Sequence, residues 1–493
     1  MDLKIKLIKW SAGLPVAMLN EKTASELGVH AQERISIRTI SKYPKEISLL
    51  VGTIGKIVKK DEIAVSSEVK KQLGLRIGQK VDVNFLFPSK SLFFIKKKLD
   101  GKRLSQEEVN EIIKEVSDNS LSEPEIALFI SAMYKQGMST KETIFLIKAI
   151  SNSGNKFKLR NKFVVDKHSI GGVPGNITTP IVVSICTAAG LIMPKSSSRA
   201  ITSAAGTADV IETLAPVEFS MKDLKKIVLK TKGCMVWGGA LGMVPADSKI
   251  VNVEKQLKID PISQLIASIM SKKLATDADY ILIDIPYGKN AKVNKQRALN
   301  LKRKFEYFGK YFKKTLKVVL TDGNQPIGNG IGPALELIDV LKILDPKQKG
   351  PTDLQEKSLF LAGNLLEMTK KAENGKGEEM ARGILNSGKA LEKFKEIIIA
   401  QGGALKEIVP AKFQKDIHAK KSGKISSIHN KKIASLARIA GCPMDKSAGL
   451  YLHSHLREKL KKGDKILTIY SESKSRLNEA IRFYEKMKPI KIK

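Results

Sequence analysis

The sequence predicts a multidomain α/β protein. We expect a small N-terminal β-barrel-like domain, a helical domain, a central α/β domain with a mixed or mainly parallel sheet, and a C-terminal α+β domain. Three observations support this architecture. The chain has 493 residues, which is more than one hydrophobic core usually serves. Its first 84 residues contain an internal repeat, and its central part alternates strand-like with helix-like segments.

The N-terminal domain, residues 1–84, is predicted from a duplicated unit. The segment LNEKTASELGVHAQERISI at residues 19–37 aligns with VSSEVKKQLGLRIGQKVDV at residues 65–83, at an offset of 46. Each copy is typical of a strand, a polar N-cap, a short helix, a glycine C-cap and a second strand. Two copies favour a pseudo-symmetric barrel similar to a double-psi β-barrel. Because this segment contains no catalytic constellation, we expect it to act in assembly.

The helical domain is predicted over residues 88–160, together with part of residues 245–275. Ser105 opens a capping box that is followed by apolar residues at helical spacing. Ser122 and Ser139 open two further helices. These three segments predict a domain that is built of helices.

The central α/β domain is predicted over residues 161–410. Strand-like segments such as residues 280–285 and 317–320 alternate with helical segments, which favours a parallel or mixed sheet. In such sheets, binding loops follow the carboxyl ends of the strands. A glycine run at residues 328–332 is interpreted as a flexible turn. The C-terminal domain, residues 420–493, has a mixed strand and helix pattern.

The chain is strongly basic. Lysine and arginine together number 86 against 50 aspartates and glutamates, which gives a formal net charge of +36. Such a charge suits nucleic acid, a membrane surface or small anionic substrates. The basic residues are spread along the whole chain and aromatic residues make up only 5%, so we expect neither a nucleic acid nor a membrane partner. We interpret most of the charge as a solvated surface, and we expect small anionic molecules as partners.

Cysteine and histidine usage predicts no metal site. Cys186, Cys234 and Cys442 are isolated, which indicates neither a disulfide framework nor zinc binding. His453 and His455 alternate along a strand-like segment but have no third ligand nearby, so they are interpreted as surface or packed histidines. No stretch of about 18 apolar residues occurs, and the charged N-terminus is unlike a signal peptide. We therefore expect a soluble cytoplasmic protein.

Two clusters of glycine, serine and threonine flank an apolar segment at residues 181–189. The first follows Lys167 and includes Gly171 and Gly172, and the second spans residues 196–207. Glycine and small hydroxyl residues expose backbone N–H groups and let an anion approach closely, and lysine or arginine adds charge. Two such loops predict sites for two anionic groups, although each loop alone also fits a tight turn. Since the lysine precedes the glycines, the pattern is not a Walker loop.

The two clusters resemble the signatures of a known family. The runs KHSIGG at residues 167–172 and SSRAITSAAGTADVIE at residues 197–212 closely resemble those of the thymidine and pyrimidine-nucleoside phosphorylases. The resemblance extends from residue 88 to the C-terminus. With its additional N-terminal segment, the whole chain resembles the archaeal branch of this family, which acts on nucleoside 5′-monophosphates.

The resemblance implies a pentosyltransferase that cleaves AMP, and other nucleoside 5′-monophosphates, with phosphate to give free base and ribose 1,5-bisphosphate. It implies no cofactor, because inorganic phosphate is a co-substrate. It also implies a homodimer formed through the helical domain, which we expect the N-terminal domain to assemble into larger homo-oligomers. The alternatives are a nucleoside phosphorylase acting on unphosphorylated nucleosides, a phosphoribosyltransferase and a nucleic-acid-binding protein. A phosphoribosyltransferase needs acidic residues to hold magnesium and pyrophosphate, and no clear pair stands beside the glycine loops.

The resemblance also assigns residues to each part of the substrate. The phosphate-binding positions are held by Lys167, Ser169, Thr179, Ser197 and Thr207. The AMP-binding positions are held by Gly172, Ser198, Arg199, Ala200, Ile201, Thr202, Ser203, Thr207, Ser268 and Lys292. His168, Lys272 and Ser268 are assigned to the base side. The 5′-phosphate is expected at Arg199, and helix capping and turn formation are the alternative roles of these residues.

The catalytic assignment is Asp260. A helix is predicted over residues 260–274 with Asp260 as its N-cap, so that Ser268 and Lys272 lie on one face. The resemblance makes Asp260 the proton donor to the leaving base. The pyrimidine enzymes carry an arginine seven residues earlier, where this chain has Val253, which weakens the pyrimidine-nucleoside alternative. A plain N-cap is the other role of Asp260, since a helix N-terminus favours the ionised carboxylate.

Overall fold

The computed structural model describes residues 1–8, 10–11, 15–86, 89–159, 163–200 and 203–493. These residues form two compact units. The first unit consists of Met1–Ser153 and Val244–Ser268, and the second consists of Gly154–Met243 and Ile269–Lys493. In the part of the chain that is described, no helix is long and apolar enough to cross a membrane.

The first unit begins with a closed barrel. In the described part of residues 1–86 its elements are β1 (Asp2–Leu7), β2 (Val16–Leu19), α1 (Glu21–Leu27), β3 (Arg34–Thr39), β4 (Glu46–Thr53), β5 (Glu62–Val65), α2 (Ser67–Leu73) and β6 (Lys80–Phe85). The strands close in the order β1, β5, β2, β4, β3, β6. The elements β2, α1 and β3 begin at residues 16, 21 and 34, and β5, α2 and β6 begin 46 residues later, at residues 62, 67 and 80.

The strand pairing of the barrel repeats with the same offset. Lys4 lies opposite Glu62 in the parallel pair of β1 and β5, and Val16 lies opposite Leu50 in the parallel pair of β2 and β4. Adding 46 to Lys4 gives Leu50, and adding 46 to Val16 gives Glu62. The predicted duplication and the predicted barrel are therefore confirmed.

The helical part of the first unit follows the barrel. It begins with α3 (Ser91–Leu99), α4 (Gln106–Ser117), α5 (Glu123–Gln136) and α6 (Thr140–Asn152). Ser105, Ser122 and Ser139 each form a complete capping box with the glutamate three residues later. Since a capping box satisfies two backbone donors at a helix start, these local patterns predicted where α4, α5 and α6 begin.

The central elements alternate strands with helices. In chain order they are β7 (Val165–Ser169), α7 (Thr178–Ala188), β8 (Met193–Ser197), α8 (Thr207–Ile211), α9 (Met221–Thr231), β9 (Gly233–Trp237), α10 (Pro245–Leu257), α11 (Ile262–Ala275), β10 (Tyr280–Tyr287), α12 (Lys295–Tyr311), β11 (Thr315–Asp322), β12 (Gly330–Ile331), α13 (Pro333–Leu344), α14 (Thr352–Met368), α15 (Gly377–Asn386) and α16 (Lys389–Ala400). Of these, α10 and residues 262–268 of α11 belong to the first unit.

The central sheet is parallel. The strands β11, β10 and β7 form one ladder and β8 and β9 another, and a parallel bridge between Val164 and Ile192 joins β7 to β8. The apolar residues of α7 are buried against this sheet, as are those of α14. Because the strands run in one direction, the loops after β7, β8, β10 and β11 all open at the same edge of the sheet.

The C-terminal part contains two antiparallel sheets. Its elements are β13 (Phe413–His418), β14 (Gly423–Ile428), α17 (Asn430–Ala440), β15 (Gly449–Leu452), β16 (Lys459–Leu460), β17 (Lys465–Ser471), α18 (Lys474–Met487) and β18 (Ile490–Ile492). The glycine run at residues 328–332 is not a flexible turn as predicted. It contains β12, which pairs with β15. A Cβ atom on Gly330 would lie 2.1 Å from the carbonyl oxygen of Leu335, so the close approach of this strand to α13 requires glycine.

The two C-terminal histidines bond to neighbouring side chains. Nε2 of His453 lies 2.8 Å from Oγ1 of Thr468, and Nε2 of His455 lies 2.8 Å from Oδ1 of Asn329. His453 is therefore held by a hydrogen bond within the C-terminal part, and His455 is held by one to the loop before β12.

Candidate active site

Lys167, His168 and Ser169 lie in a strand. This strand, β7, spans Val165–Ser169, and its parallel pairing with β10 continues to Ser169, opposite Asp284. Side chains alternate between the two faces of a strand. Lys167 and Ser169 therefore point to the face covered by α7, and His168 points to the other face.

Lys167 is a buried ammonium held by hydroxyl groups. Its side chain is 2% exposed, and Nζ donates to Oγ1 of Thr178 at 2.5 Å and to Oγ1 of Thr179 at 3.4 Å. Among the described residues, no carboxylate forms an ion pair with it. Burial lowers the pKa of Lys167 to about 7, against the raising effect of Asp284. A bound anion would supply the missing counter-charge.

Two more buried lysines lie on the opposite face of β7, around Asp166. Nζ of Lys273 lies 2.5 Å from Oδ2 of Asp166, and Nζ of Lys195 lies 3.4 Å from Oδ1. Burial would raise the pKa of Asp166, but the charges of Lys195 and Lys273 hold it below its usual value. Burial also lowers the pKa of Lys273 to about 7, although Asp166 opposes this.

A second buried aspartate, Asp284 of β10, pairs with a fourth lysine. Its Oδ2 lies 3.1 Å from Nζ of Lys357 on α14, and the side chains are 0% and 9% exposed. The described residues thus hold four buried lysines and two buried aspartates around β7. These are Lys167, Lys195, Lys273, Lys357, Asp166 and Asp284. When all are ionised, each face of the sheet carries two lysines and one aspartate, and this excess of positive charge favours an anion.

His168 is a neutral imidazole. Burial, followed by the charges of Lys273 and Lys195, lowers the pKa of His168 well below its ordinary value. A neutral ring can donate or accept a hydrogen bond, but it is not a proton donor at neutral pH. A ring in this state suits hydrogen bonding and not acid catalysis.

The first glycine loop brings two chain segments together. Gly171, Gly172 and Gly175 have φ values of 80°, 90° and 71°, which favour glycine. A Cβ atom on Gly172 would lie 2.7 Å from Cβ of Lys292, so the loop packs directly against the segment after β10. This places two of the assigned AMP-binding residues side by side. Ser169 accepts a hydrogen bond from Nδ2 of Asn176 at 3.2 Å, which fixes the start of the loop.

Gly172→Ala is expected to raise the KM values for AMP and phosphate by about tenfold, because the methyl group must displace Lys292 and strains the loop. Gly402→Ala is the matched control, since Gly402 has φ 79° but no atom within 4 Å of the added methyl group. Steady-state kinetics and thermal unfolding of both variants measure the difference. Equal KM values in the two variants would contradict the contact-based explanation.

In the second cluster, Arg199 is bound to carboxylates. Its Nη atoms lie 2.6 and 2.7 Å from the carboxylate of Glu212, 3.4 Å from Asp209 and 3.3 Å from Glu218, and the guanidinium stacks 4.8 Å from the ring of Trp237. The hydrogen bond to Glu212 raises the pKa of Arg199, and that of Glu212 falls to about 2. A 5′-phosphate would have to displace Glu212 to reach this guanidinium, so the assignment of Arg199 to the 5′-phosphate stays a prediction.

The backbone of the same loop is fixed by Asp209. Its carboxylate accepts hydrogen bonds from the N–H groups of Ala200 at 2.7 Å and Gly206 at 2.8 Å. A Cβ atom on Gly206 would lie 2.4 Å from the carbonyl oxygen of Ser198, so the two ends of the loop touch. Of the other assigned positions, Ser198 is exposed, and Ile201 and Thr202 lie outside the described residues.

Three hydroxyl residues of this cluster differ in their bonding. Oγ of Ser197 is buried and has no hydrogen-bond partner among the described residues, which leaves it for a ligand. Oγ of Ser203 donates to the carbonyl oxygen of Ala205 at 2.5 Å. Thr207 is the first residue of α8, where backbone N–H groups are available to an anion. Ser197 is therefore the hydroxyl that the structure leaves most clearly open.

The helix after Asp260 begins later than predicted. It is α11, which starts at Ile262, and the N–H of Leu265 donates to the carbonyl oxygen of Pro261 at 2.9 Å. The exposed Asp260 lies two residues before Ile262, and Pro261, which has no N–H, supplies an accepting carbonyl at the start of the helix.

The division between the two units falls within α11. Ser268 and Lys272 are half-buried and lie one helical turn apart on this helix. Asp260 and Ser268 belong to the first unit, and Lys272 belongs to the second.

Sequence reasoning missed most of the buried charges around Lys167. Asp284 interrupts the apolar strand sequence ILIDI at residues 281–285, and a charged residue in a buried strand is a signal that could have been used. Asp166 directly precedes Lys167. Lys195, Lys273 and Lys357 carry no such signal, because lysines are common throughout the chain.

Comparisons with known proteins identify the domains of the chain. Residues 93–154 match the glycosyl transferase family helical bundle domain, residues 161–391 match the glycosyl transferase family a/b domain, and residues 424–491 match the pyrimidine nucleoside phosphorylase C-terminal domain. Anthranilate phosphoribosyltransferase from Thermus thermophilus covers 63% of this chain and 99% of its own, with a TM-score of 0.52. At 16% identity this likeness concerns the fold alone.

Relatives of similar length align along almost the whole chain. The AMP phosphorylase of Methanococcus aeolicus is 40% identical over 494 residues, which cover 99% of this chain and 97% of the relative. The AMP phosphorylase of Pyrococcus furiosus is 42% identical over 496 residues with the same coverage. A putative thymidine phosphorylase of Legionella pneumophila is 42% identical over 454 residues, 92% of this chain and 87% of the relative. The chain therefore belongs to the family of thymidine, pyrimidine-nucleoside and AMP phosphorylases.

Proposed function

We propose that this protein catalyses the phosphorolysis of AMP, and of other nucleoside 5′-monophosphates, to free base and ribose 1,5-bisphosphate. The observation that carries the proposal is the excess of buried lysines over aspartates around β7, with Lys167 lacking an anionic partner among the described residues. The near full-length similarity to AMP phosphorylases supports the choice of substrate.

In the proposed reaction, inorganic phosphate binds at Lys167, Thr179 and Ser197 and attacks C1′ of the ribose. Charge develops on the ribose ring as the bond to the base breaks, and a phosphate held in line stabilises it. Ser169 and Thr207 complete the proposed phosphate site. No metal is proposed, because the lysines and backbone N–H groups supply the charge that a dianion needs.

The leaving base is proposed to lie near His168, Ser268 and Lys272. Neutral His168 can hydrogen-bond to the base. Asp260 is the proposed proton donor, since a purine that leaves through N9 gains from protonation at N7. The nucleotide is proposed to contact the loop at residues 198–203, together with Gly172 and Lys292.

A nucleoside phosphorylase that acts on unphosphorylated nucleosides is the second candidate. The observation that favours it is the ion pairing of Arg199 with Glu212, because a guanidinium that is already neutralised attracts a 5′-phosphate weakly. The deciding experiment measures base release by chromatography from AMP and from adenosine, with and without phosphate. Phosphate-dependent release that is faster from AMP supports the proposal, whereas preference for adenosine supports the second candidate. Repeating the assay in EDTA tests whether the reaction needs a metal.

Arg199→Ala is expected to lower the affinity for AMP by about ten- to a hundredfold, because a charge-assisted contact or the anchor of its loop is lost. If Arg199 contacts the 5′-phosphate, the affinity for adenosine should be unchanged. Isothermal titration with both ligands gives the comparison. An equal loss for AMP and adenosine would show that Arg199 only anchors the loop through Glu212.

The N-terminal barrel is proposed to assemble dimers into larger particles. Tyr43 and Ile77 are large apolar side chains of the barrel that are 80% and 75% exposed. The double substitution Tyr43→Lys and Ile77→Lys is expected to reduce the subunit count measured by light scattering. Ile399→Lys, at a position that is 63% exposed in the second unit, is the control. An unchanged particle mass in the double variant would contradict this role.

A further inference from the structure

Asp284 is the buried carboxylate whose charge acts most strongly on Lys167, yet it does not pair with it. The two residues lie on neighbouring strands and point to the same face of the sheet. The charge of Asp284 is the largest influence that raises the pKa of Lys167. In the structure, however, Nζ of Lys167 contacts Thr178 and Thr179 instead.

Two other groups hold Asp284. The hydroxyl of Thr321 on β11 donates to Oδ1 at 2.6 Å, and Nζ of Lys357 lies 3.1 Å from Oδ2. The second contact is an ion pair. Burial would raise the pKa of Asp284, but the charges of Lys357 and Lys167 keep it below its usual value, so the carboxylate stays ionised.

Lys357 reaches Asp284 from α14, which covers the same face of the sheet as α7. Its side chain also lines a cavity of about 400 Å³ beside Thr321, Asp353 and Phe360. Burying a lysine here costs desolvation, and a well-packed apolar residue would serve stability at least as well if Asp284 were also apolar. We therefore expect the ion pair between Lys357 and Asp284 to have a role other than stabilising the fold.

We propose that Lys357 is a positioning residue that holds the carboxylate of Asp284 away from Lys167, and so keeps Lys167 available for phosphate. Without Lys357, the remaining cation whose charge acts most strongly on Asp284 is Lys167, which points to the same face from the neighbouring strand. An ion pair between them would neutralise the ammonium and compete with phosphate. This inference rests on the proposed phosphorolysis.

The test is a set of substitutions with phosphate KM as the main readout. Lys357→Met is expected to raise the KM for phosphate on the order of tenfold, while kcat at saturating phosphate changes less. The double variant Lys357→Met/Asp284→Asn removes the released carboxylate and is expected to restore the KM to within about threefold of wild type. Lys357→Arg keeps the charge and is expected to retain a low KM.

Lys195→Met controls for net charge. It removes one positive charge from the same cluster, but Asp166 keeps Lys273 at 2.5 Å, so no carboxylate is released. The increase in phosphate KM should therefore be smaller than in Lys357→Met. Equal increases in the two variants, an unchanged KM in Lys357→Met, or a folded double variant without recovery would each overturn the inference.

A replacement variant and a binding measurement allow the inference to be tested even if Lys357→Met does not fold. If Lys357→Met does not fold, Lys357→Gln, which has no charge but keeps an amide donor, takes its place with the same expected direction. Calorimetric titration with inorganic phosphate alone should show the same order of affinities without turnover. A wild-type protein that neither binds phosphate nor releases base would defeat the proposed function itself, whereas an active wild type with an unaffected Lys357→Met variant defeats only this inference.

Discussion

Lys167→Met is expected to lower kcat/KM for phosphate by about a hundred- to a thousandfold, because it removes the ammonium that meets the anion in a buried site. The same substitution is expected to stabilise the free protein. Lys167 has no carboxylate partner among the described residues, and an apolar side chain of similar length avoids its desolvation cost. Kinetics and thermal unfolding in phosphate-free buffer measure the two effects.

The pH dependence of stability gives an independent check on Lys167. Burial lowers its pKa from 10.5 to about 7 in the folded protein, so the unfolded chain binds more protons between these values. The burial of charged Lys167 therefore destabilises the folded protein fully below pH 7. This destabilisation disappears as the pH rises towards 10.5. Lys273 contributes in the same direction, since burial also lowers its pKa to about 7.

The melting temperature of Lys167→Met should accordingly exceed that of the wild type most at pH 7 and below, and the difference should shrink as the pH rises across this window. Phosphate should stabilise the wild type and leave the variant unchanged. A variant that melts at a lower temperature than the wild type, or that keeps its activity, would show that Lys167 has a structural role.

Asp260→Asn is expected to reduce turnover of AMP by about 10²- to 10⁴-fold, because an amide has no acidic proton to give to the leaving base. Binding of AMP should change little. His168 does not replace it as an acid, because burial and the neighbouring lysines keep its imidazole neutral. The measurements are kcat at saturating substrates and the dissociation constant for AMP.

A substrate with an activated base provides the control for Asp260. An N7-methylated purine nucleotide already carries a positive charge on the base, so it needs no proton donor. Asp260→Asn should cleave this substrate at close to the wild-type rate. Full turnover of AMP in the variant would instead leave Asp260 as a residue that only precedes α11, and equal losses on both substrates would indicate a role in binding or folding.

The sequence by itself determined the features that depend on local patterns. The offset of 46 between residues 19–37 and 65–83 predicted the two halves of the barrel, and the serines at 105, 122 and 139 predicted the starts of three helices. The glycines at 171 and 172 predicted a loop, and both residues have positive φ angles in the structure. Each of these signals lies within a few residues, or in a direct repeat, so it can be read without knowing which segments meet.

Only the tertiary structure decided which charges are paired. Arg199 and Lys167 look alike in the sequence as anion-binding residues, yet Arg199 is neutralised by Glu212 and Lys167 keeps no carboxylate among the described residues. The partner of Asp284 is Lys357, 73 residues further along the chain, and that of Asp166 is Lys273, 107 residues away. In a chain with 86 basic residues nothing local marks these lysines, because burial and pairing arise only when α11 and α14 pack on the sheet.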